Sequence, residues 1–199
     1  MGIKLCLGHR QEFEDLVILM RNLKSYPDFI VVDGAEGGTG AAPLEFANYM
    51  GMPGMDALVI VVDCLRRAGL KDKIKVIATG KITTAFDIVK LLCVGADATY
   101  AARSMMLALG CIQALRCNNN KCPAGVATQD PNLYQGIHVP TKRTRIKNFH
   151  QETLEAVAHV VGAMGISDIH GLQRSHLHKR VEANRIKTYE ELYPAEPVI

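Results

Sequence analysis

Short apolar runs alternate with amphipathic stretches from the N-terminus to the region of Gln129. This restricts the fold more than any other feature, because parallel strands need crossover connections, usually helices, to reach one another. Four such units can be read. Gly2 to Leu7 predicts a strand, and Glu12 to Leu23 a helix on which Phe13, Leu16, Val17, Leu19, Met20 and Leu23 recur at helical spacing. Phe29 to Val32 is a second strand, followed by a glycine-rich loop and a helix from Pro53 to Ala68 that stops before Gly69. Ile74 to Ala78 is the third strand; Thr84 with Asp87 three residues on reads as a capping box opening a helix from Ala85 to Val94. Ala98 to Ala101 is the fourth strand, and Arg103 to Leu115 the helix after it.

Beyond Gln129 the pattern changes. Asp130 to Thr141 reads as loop, Lys142 to Met164 as a long amphipathic helix, and the remainder as polar short elements. The expected division is therefore a unit at 1–129 with an extension at 130–199 packing on it. His170, His176 and His178 stand among Arg174, Lys179 and Arg180 without partner ligands at zinc-site spacing, so they are expected to be exposed.

The net charge of +3 is small and the basic residues are scattered, which argues against a nucleic-acid partner. No run approaches the roughly 20 apolar residues of a membrane span, and the N-terminus lacks the apolar region and cleavage site of a signal peptide. A cytoplasmic protein is expected. In a reducing compartment, clustered thiols among the six cysteines read as metal ligands rather than disulfides. Cys6, Cys64 and Cys93 lie in apolar surroundings and are expected to be buried. Cys111, Cys117 and Cys122 are different: three thiols in one short stretch with Pro123 after the last suit an iron-sulfur cluster better than a four-ligand zinc site.

In parallel α/β folds ligands collect at the carboxyl ends of the strands. The second strand opens into Asp33-Gly34-Ala35-Glu36-Gly37-Gly38-Thr39-Gly40, where glycine lets backbone approach a ligand and the carboxylates and hydroxyl supply hydrogen bonds or proton transfer. The third strand runs into Thr79-Gly80-Lys81 and the fourth into Ala101-Ala102-Arg103, each before a predicted helix start suited to an anion such as phosphate. Two consecutive units of this kind match the phosphate site formed after the last two strands of many (β/α)₈ barrels. The expected fold is accordingly α/β: the C-terminal half of a (β/α)₈ TIM barrel, four βα units, plus a helical C-terminal extension.

These residues resemble the FMN-binding central domain of the glutamate synthase family and its stand-alone relatives. The resemblance rests on Lys4 in the first strand, Gly34 to Pro43, the Gly80 turn with Asp87-Ile88-Val89, and Leu109-Gly110-Cys111 through Cys117 to Cys122-Pro-Ala-Gly-Val-Ala-Thr-Gln129. It implies a flavoprotein with FMN at a barrel mouth beside a 3Fe-4S cluster, reducing 2-iminoglutarate, from 2-oxoglutarate and ammonia, to glutamate. Carried onto this chain, it implies Cys111, Cys117 and Cys122 as cluster ligands. Lys4 and Glu36 would be the catalytic groups, and Gly34, Gly37, Gly38, Thr39, Gly40, Gly80, Lys81, Ala102 and Arg103 would hold the flavin. Asn118 stands where the family usually has His, and Tyr100-Ala101-Ala102 where it has Gly-x-Gly. A ferredoxin or a reductase subunit is the implied electron donor.

A full barrel needs about 250 residues, so the chain reads as a fragment whose exposed strand edges and open apolar face favour a homo-oligomer. The alternative from another class is a non-catalytic, self-associating half-barrel without flavin or cluster. A zinc-binding module is a third, weakened by the missing fourth ligand.

Overall fold

Strand alternation decides which side chains the helices cover. The computed structural model describes residues 1–34, 45, 49–195 and 197. In it β1 (Gly2–Cys6), β2 (Phe29–Asp33), β3 (Lys75–Ala78) and β4 (Ala98–Thr99) form one parallel sheet in the order β1-β2-β3-β4. The register aligns Ile3 with Ile30 and Leu5 with Val32, then Ile30 with Val76 and Val32 with Ala78. Because aligned residues share a face, these apolar side chains all point into the core with the helices. The opposite parity places Lys4 beside Val31 and Cys6 beside Asp33 on the other face.

That parity corrects one expectation. Cys6 is exposed rather than buried, because it shares the face of Lys4 and not that of Leu5. Cys64 and Cys93 are buried as their surroundings imply, and burial pushes the Cys93 thiol up to about 11.

Helix α1 (Arg10–Leu23) buries Phe13, Val17 and Met20, one stripe at the predicted period. Helix α2 (Gly54–Arg67) is the most enclosed, with Leu58, Val61, Val62 and Leu65 fully buried against β2, α1 and α3. Helix α3 (Ala85–Val94) has the predicted limits. The Thr84 hydroxyl accepts the Asp87 amide at 3.1 Å while Asp87 Oδ2 accepts the amides of Thr83 and Thr84. Burial works against the Asp87 charge, but these hydrogen bonds and Lys90 outweigh it and hold the carboxyl down at about 2.

Helix α4 covers Arg103–Leu109 and ends earlier than the sequence suggests. Gly110 takes φ 118°, and the amides of Gly110 and Cys111 fold back onto the Met106 carbonyl, closing the helix end six residues before Leu115 is passed. After the short α5 (Pro131–Tyr134), the long α6 (Val139–Ala163) packs across α3 and α4. The extension also contains a two-stranded antiparallel hairpin, β5 (His178–Glu182) with β6 (Arg185–Thr188), and a final short helix α7 (Tyr189–Leu192). His170, His176 and His178 are exposed, as expected. Among the described residues no helix is long and apolar enough to cross a membrane.

Candidate functional site

The ends of all four parallel strands converge on one group of polar residues. Lys4, from β1, places Nζ 2.8 Å from Asp33 Oδ2 at the end of β2 and 5.8 Å from the centre of the Tyr100 ring just past β4. The hydrogen bond to Asp33 raises the Lys4 ammonium above its ordinary value, against the opposing effect of burial, so Lys4 stays charged. Thr79, buried after β3, donates its hydroxyl to the Tyr100 carbonyl at 2.9 Å, and its amide bonds to the Val32 carbonyl at 3.1 Å. These two bonds tie the ends of β2, β3 and β4 together. The Lys4 side chain is half exposed, whereas Asp33 retains only 14% exposure.

Gly80 and Lys81 turn the chain with φ of 108° and 46°, left-handed values that cost a side chain about 1–2 kcal/mol and cost glycine little. A Cβ built on Gly80 would lie 3.4 Å from Asp33 Oδ1 and 3.8 Å from the Gly34 amide nitrogen. Gly34 is itself buried. The structure thus gathers Lys4, Gly34 and Gly80 of the sequence-predicted residues, with Lys81 next to them in the turn. Glu36, Gly37, Gly38, Thr39 and Gly40 lie outside the described residues.

The anion-ready ends expected at the next two helices look different in the structure. At α3 the carboxylate of Asp87 takes the amides of Thr83 and Thr84, and the Thr84 hydroxyl takes that of Asp87, so a negative charge of the chain itself already stands at this helix start. At α4 Ala102 is the N-cap with helical φ and no side-chain cap, followed by the exposed Arg103.

Cys111, Cys117 and Cys122 share one irregular loop in which Gln113, Leu115 and Asn120 have φ of 56°, 53° and 61°. Such left-handed non-glycine residues persist where the surroundings over-determine them, often at functional sites. The Asn120 side chain accepts the Gln129 amide at 2.6 Å and its carbonyl accepts the Thr128 hydroxyl at 2.6 Å, clasping the loop shut. Cys122 is buried, which alone raises a thiol, but backbone amides of Ala127, Ala124, Val126 and Gly125 outweigh burial and lower it below its ordinary value. The Cys111 sulfur accepts the Gln113 amide at 3.4 Å. Two of the three sulfurs therefore receive amides in the manner that suits thiolates. Among the described residues no three His, Cys, Asp or Glu side chains are positioned to hold a single metal ion.

Asp33, Thr79 and Tyr100 lie in segments that the sequence marks as strand ends, but none of the three is assigned a site role there. Asp33 carries a signal, a carboxylate closing an apolar β-branched strand; Tyr100 stands out only as a departure from the family's Gly-x-Gly, and Thr79 only as the residue before Gly80. A separate hollow of about 300 Å³ between α1, α2 and the C-terminal segment, lined by Asp56, Asp63 and Tyr193 among others, contains none of the predicted site residues.

Residues 1–167 match the family model described as the conserved region in glutamate synthase. A glutamate synthase large subunit-like protein, YerD, of Bacillus subtilis is 40% identical over 192 residues, covering 96% of this chain and 37% of the relative. An archaeal glutamate synthase [NADPH] of Methanocaldococcus jannaschii is 37% identical over 146 residues, 73% of this chain and 29% of the relative. The chain thus spans about a third of the length of the curated relatives it matches. Among solved structures, a mandelate oxidase mutant with 2-hydroxy-phenylacetamide superposes with a TM-score of 0.52 at 17% identity, over 87% of this chain and 37% of that one. A flavocytochrome b2 double mutant with sulfite bound gives 0.51 at 16% identity, over 86% and 33%. At such identities the likeness is one of fold, four consecutive βα units of a (β/α)₈ barrel.

Proposed function

We propose, from the premise that the chain belongs to the glutamate synthase family, that it forms the part of a glutamate synthase-like oxidoreductase that seats FMN and carries the cysteine loop. The observation that carries this reading is the convergence of Lys4, Asp33, Gly80 and Tyr100 at the carboxyl ends of four parallel strands. FMN, when bound, supplies the hydride that reduces 2-iminoglutarate, from 2-oxoglutarate and ammonia, to glutamate. The residues fit such a ligand: a buried acceptor on Asp33 without a partner among the described residues, the left-handed glycine turn at Gly80 and a charged lysine lie side by side.

In this reading Lys4, held charged by Asp33, faces the negative charge of a reduced flavin or of the oxoacid carboxylate. The Gly80–Lys81 turn and Ala102–Arg103 take the phosphate, and Gly34 with Glu36, Gly37, Gly38, Thr39 and Gly40 line the ring and the oxoacid. Cys111, Cys117 and Cys122 are the thiolate donors for a 3Fe-4S cluster fed by a ferredoxin or reductase subunit.

Titrating FMN into the purified chain while following its fluorescence tests the reading. Saturable quenching with a dissociation constant in the micromolar range is expected, weakened by Lys4→Met; absence of binding removes the flavin reading. The second reading, a self-associating barrel segment without cofactor, draws on β1 and β4 being the outer strands of the sheet. Either reading predicts a homo-oligomer by light scattering after size-exclusion chromatography, and a monomer at micromolar concentration would count against self-association.

A further inference from the structure

The small net charge of the chain hides an uneven distribution. From Ala98 to Gln151 stand seven lysines and arginines and a single carboxylate, Asp130, although the whole chain is only +3. Asp130 is occupied, its side chain accepting the Asn132 amide at 2.9 Å to cap α5. Arg116 and Lys121 lie in the cysteine loop, and Lys142, Arg143, Arg145 and Lys147 in the first half of α6. None of these six forms an ion pair with a carboxylate among the described residues.

The loop and the helix start are one packed unit. Lys142 Nζ stands beside Gly110, the residue before Cys111, and Leu133, Tyr134 and Ile137 close on Gly125. The cations do not serve the helix. Its first turn has no acidic residue to complement the dipole, and Lys142 with Arg145 and Arg143 with Lys147 repel at i,i+3 and i,i+4 spacing. Three aliphatic side chains of the same unit face water: Ile112 is 67%, Leu115 61% and Val139 67% exposed. Leu115 is held there at φ 53°, a left-handed value unusual for a bulky residue.

Unpaired cations beside exposed aliphatic groups suit the acidic rim and apolar centre of another protein's surface. Single-stranded nucleic acid is gripped by stacking on aromatic side chains, whereas Ile112, Leu115 and Val139 are aliphatic. A bilayer takes a helix whose apolar face points outward. The apolar side of α6, with Val157 and Val161 buried and Ile146 and Phe149 half-buried, packs on α3 and α4 instead.

We infer that the cysteine loop and the first half of α6 form a docking face for a small acidic electron-carrier protein. Arg143, Arg145 and Lys147 meet its carboxylates, and Ile112 and Leu115 its apolar centre. The inference rests on the reading of the cysteine loop as the point where electrons enter. It adds the sign of the partner's surface and the residues that receive it.

The test titrates a ferredoxin, as a small acidic carrier, into the chain by isothermal titration calorimetry. Micromolar binding at low ionic strength is expected, weakening as salt is added. Arg143→Glu with Arg145→Glu should weaken it roughly tenfold or more, as loss of close interfacial charge pairs does. The same substitutions turn both repulsive helix pairs into attractive ones, so thermal unfolding should show stability unchanged or raised. Lys179→Glu with Lys187→Glu, on the β5–β6 hairpin, makes the same change of net charge and should weaken binding far less. Ile112→Ser with Leu115→Asn should weaken binding at low and high salt alike, with folding checked by circular dichroism. Equal loss from the helix and hairpin variants overturns the docking face. So does binding of phosphatidylserine vesicles or duplex DNA through Arg143 and Arg145 with no binding of the ferredoxin. Iron uptake by the cysteines is measured on the same preparations. Iron uptake without ferredoxin binding overturns the face and leaves the cluster reading standing; ferredoxin binding without iron uptake removes the cluster reading and with it the carrier role.

Discussion

Arg174 grips Asp63 through two parallel hydrogen bonds, Nη2 to Oδ1 at 2.7 Å and Nη1 to Oδ2 at 3.0 Å, across 111 residues of sequence. The arginine is 8% and the aspartate 13% exposed, so the pair is nearly out of water. Nη1 also reaches the Tyr193 carbonyl at 3.1 Å, and Tyr193 in turn donates to Asp56 at 2.8 Å. The C-terminal segment is thereby pinned to α2.

Removing one partner of this pair is predicted to be worse than removing both. Arg174→Met strands the Asp63 carboxylate, at a cost of about 3–5 kcal/mol. Arg66, 3.9 Å from the same carboxylate, can recover part of it. Asp63→Leu strands the guanidinium in the same way. The double variant Asp63→Leu with Arg174→Met is expected to be more stable than either single one in urea unfolding, because an apolar pair in the same space carries no desolvation cost. Additive losses in the double variant would refute this.

The cap of α3 makes a prediction in pH. Asp87 is held at about 2 against an ordinary 3.8, so its contribution to stability is fully present above about 3.8 and is lost as pH falls through about 2. Asp87→Asn should destabilise the chain at neutral pH by about 1 kcal/mol, as loss of a helix cap does. The same substitution should narrow its gap from the wild type on acidification, measured by thermal unfolding across that range. A gap that stays constant to the acid end would mean the carboxylate charge is not what caps the helix.

How much of this was legible beforehand depended on whether the deciding contact was local. The limits of α3 follow from Thr84, Asp87 and Gly95, all within a few residues of the ends they set. The end of α4 was misplaced because Leu-Ala-Leu-Gly-Cys-Ile-Gln-Ala-Leu reads as one apolar helix, and only the left-handed Gly110 stops it. Cys6 was misjudged because an apolar neighbourhood does not say which parity of a strand the helices cover. The hairpin of β5 and β6 had only a weak signal, Val181 and Ile186 around a two-residue turn at Ala183-Asn184. Arg174 looked like one more surface cation, since its partner is far off in sequence. In the site, Lys4 and Gly80 could be picked from spacing, but the role of Asp33 needed the register that sets it beside Cys6 and next to Lys4.

Two glycines should respond to alanine with opposite signs. Gly125 has φ 72°, and a Cβ there would stand 2.6 Å from the Leu133 carbonyl oxygen and 3.1 Å from the Tyr134 Cα, both backbone atoms that cannot easily yield. Gly125→Ala is predicted to destabilise the chain by more than the roughly 1–2 kcal/mol of the left-handed conformation alone. It should also disturb the amides aimed at Cys122. Gly162 lies within α6, with nothing within 4 Å of an added Cβ. Gly162→Ala should therefore stabilise by about 0.5–1 kcal/mol. Paired thermal unfolding of the two variants reads both signs at once, and equal effects would contradict the backbone argument.

The cysteine loop supplies the sharpest separation between a structural and a cluster-binding role. Cys122 is buried with four backbone amides directed at its sulfur, Cys111 accepts one, and Cys117 begins a short 3-10 turn at 117–119. If the thiols are cluster donors, anaerobic addition of iron and sulfide should produce a broad visible absorption with iron in the proportion of a 3Fe-4S cluster. Cys111→Ser, Cys117→Ser and Cys122→Ser should each lose most of that iron, because a site with three protein ligands has none to spare. A purely structural loop predicts another pattern: no iron taken up by the wild type, and a stability loss confined to Cys122→Ser, the buried position, with the half-buried Cys111 and Cys117 tolerant. Iron content and unfolding midpoint measured on the same three variants separate the two. The expected order under the cluster role is equal loss of iron at all three positions despite unequal loss of stability, since ligation depends on the sulfur and stability on its burial.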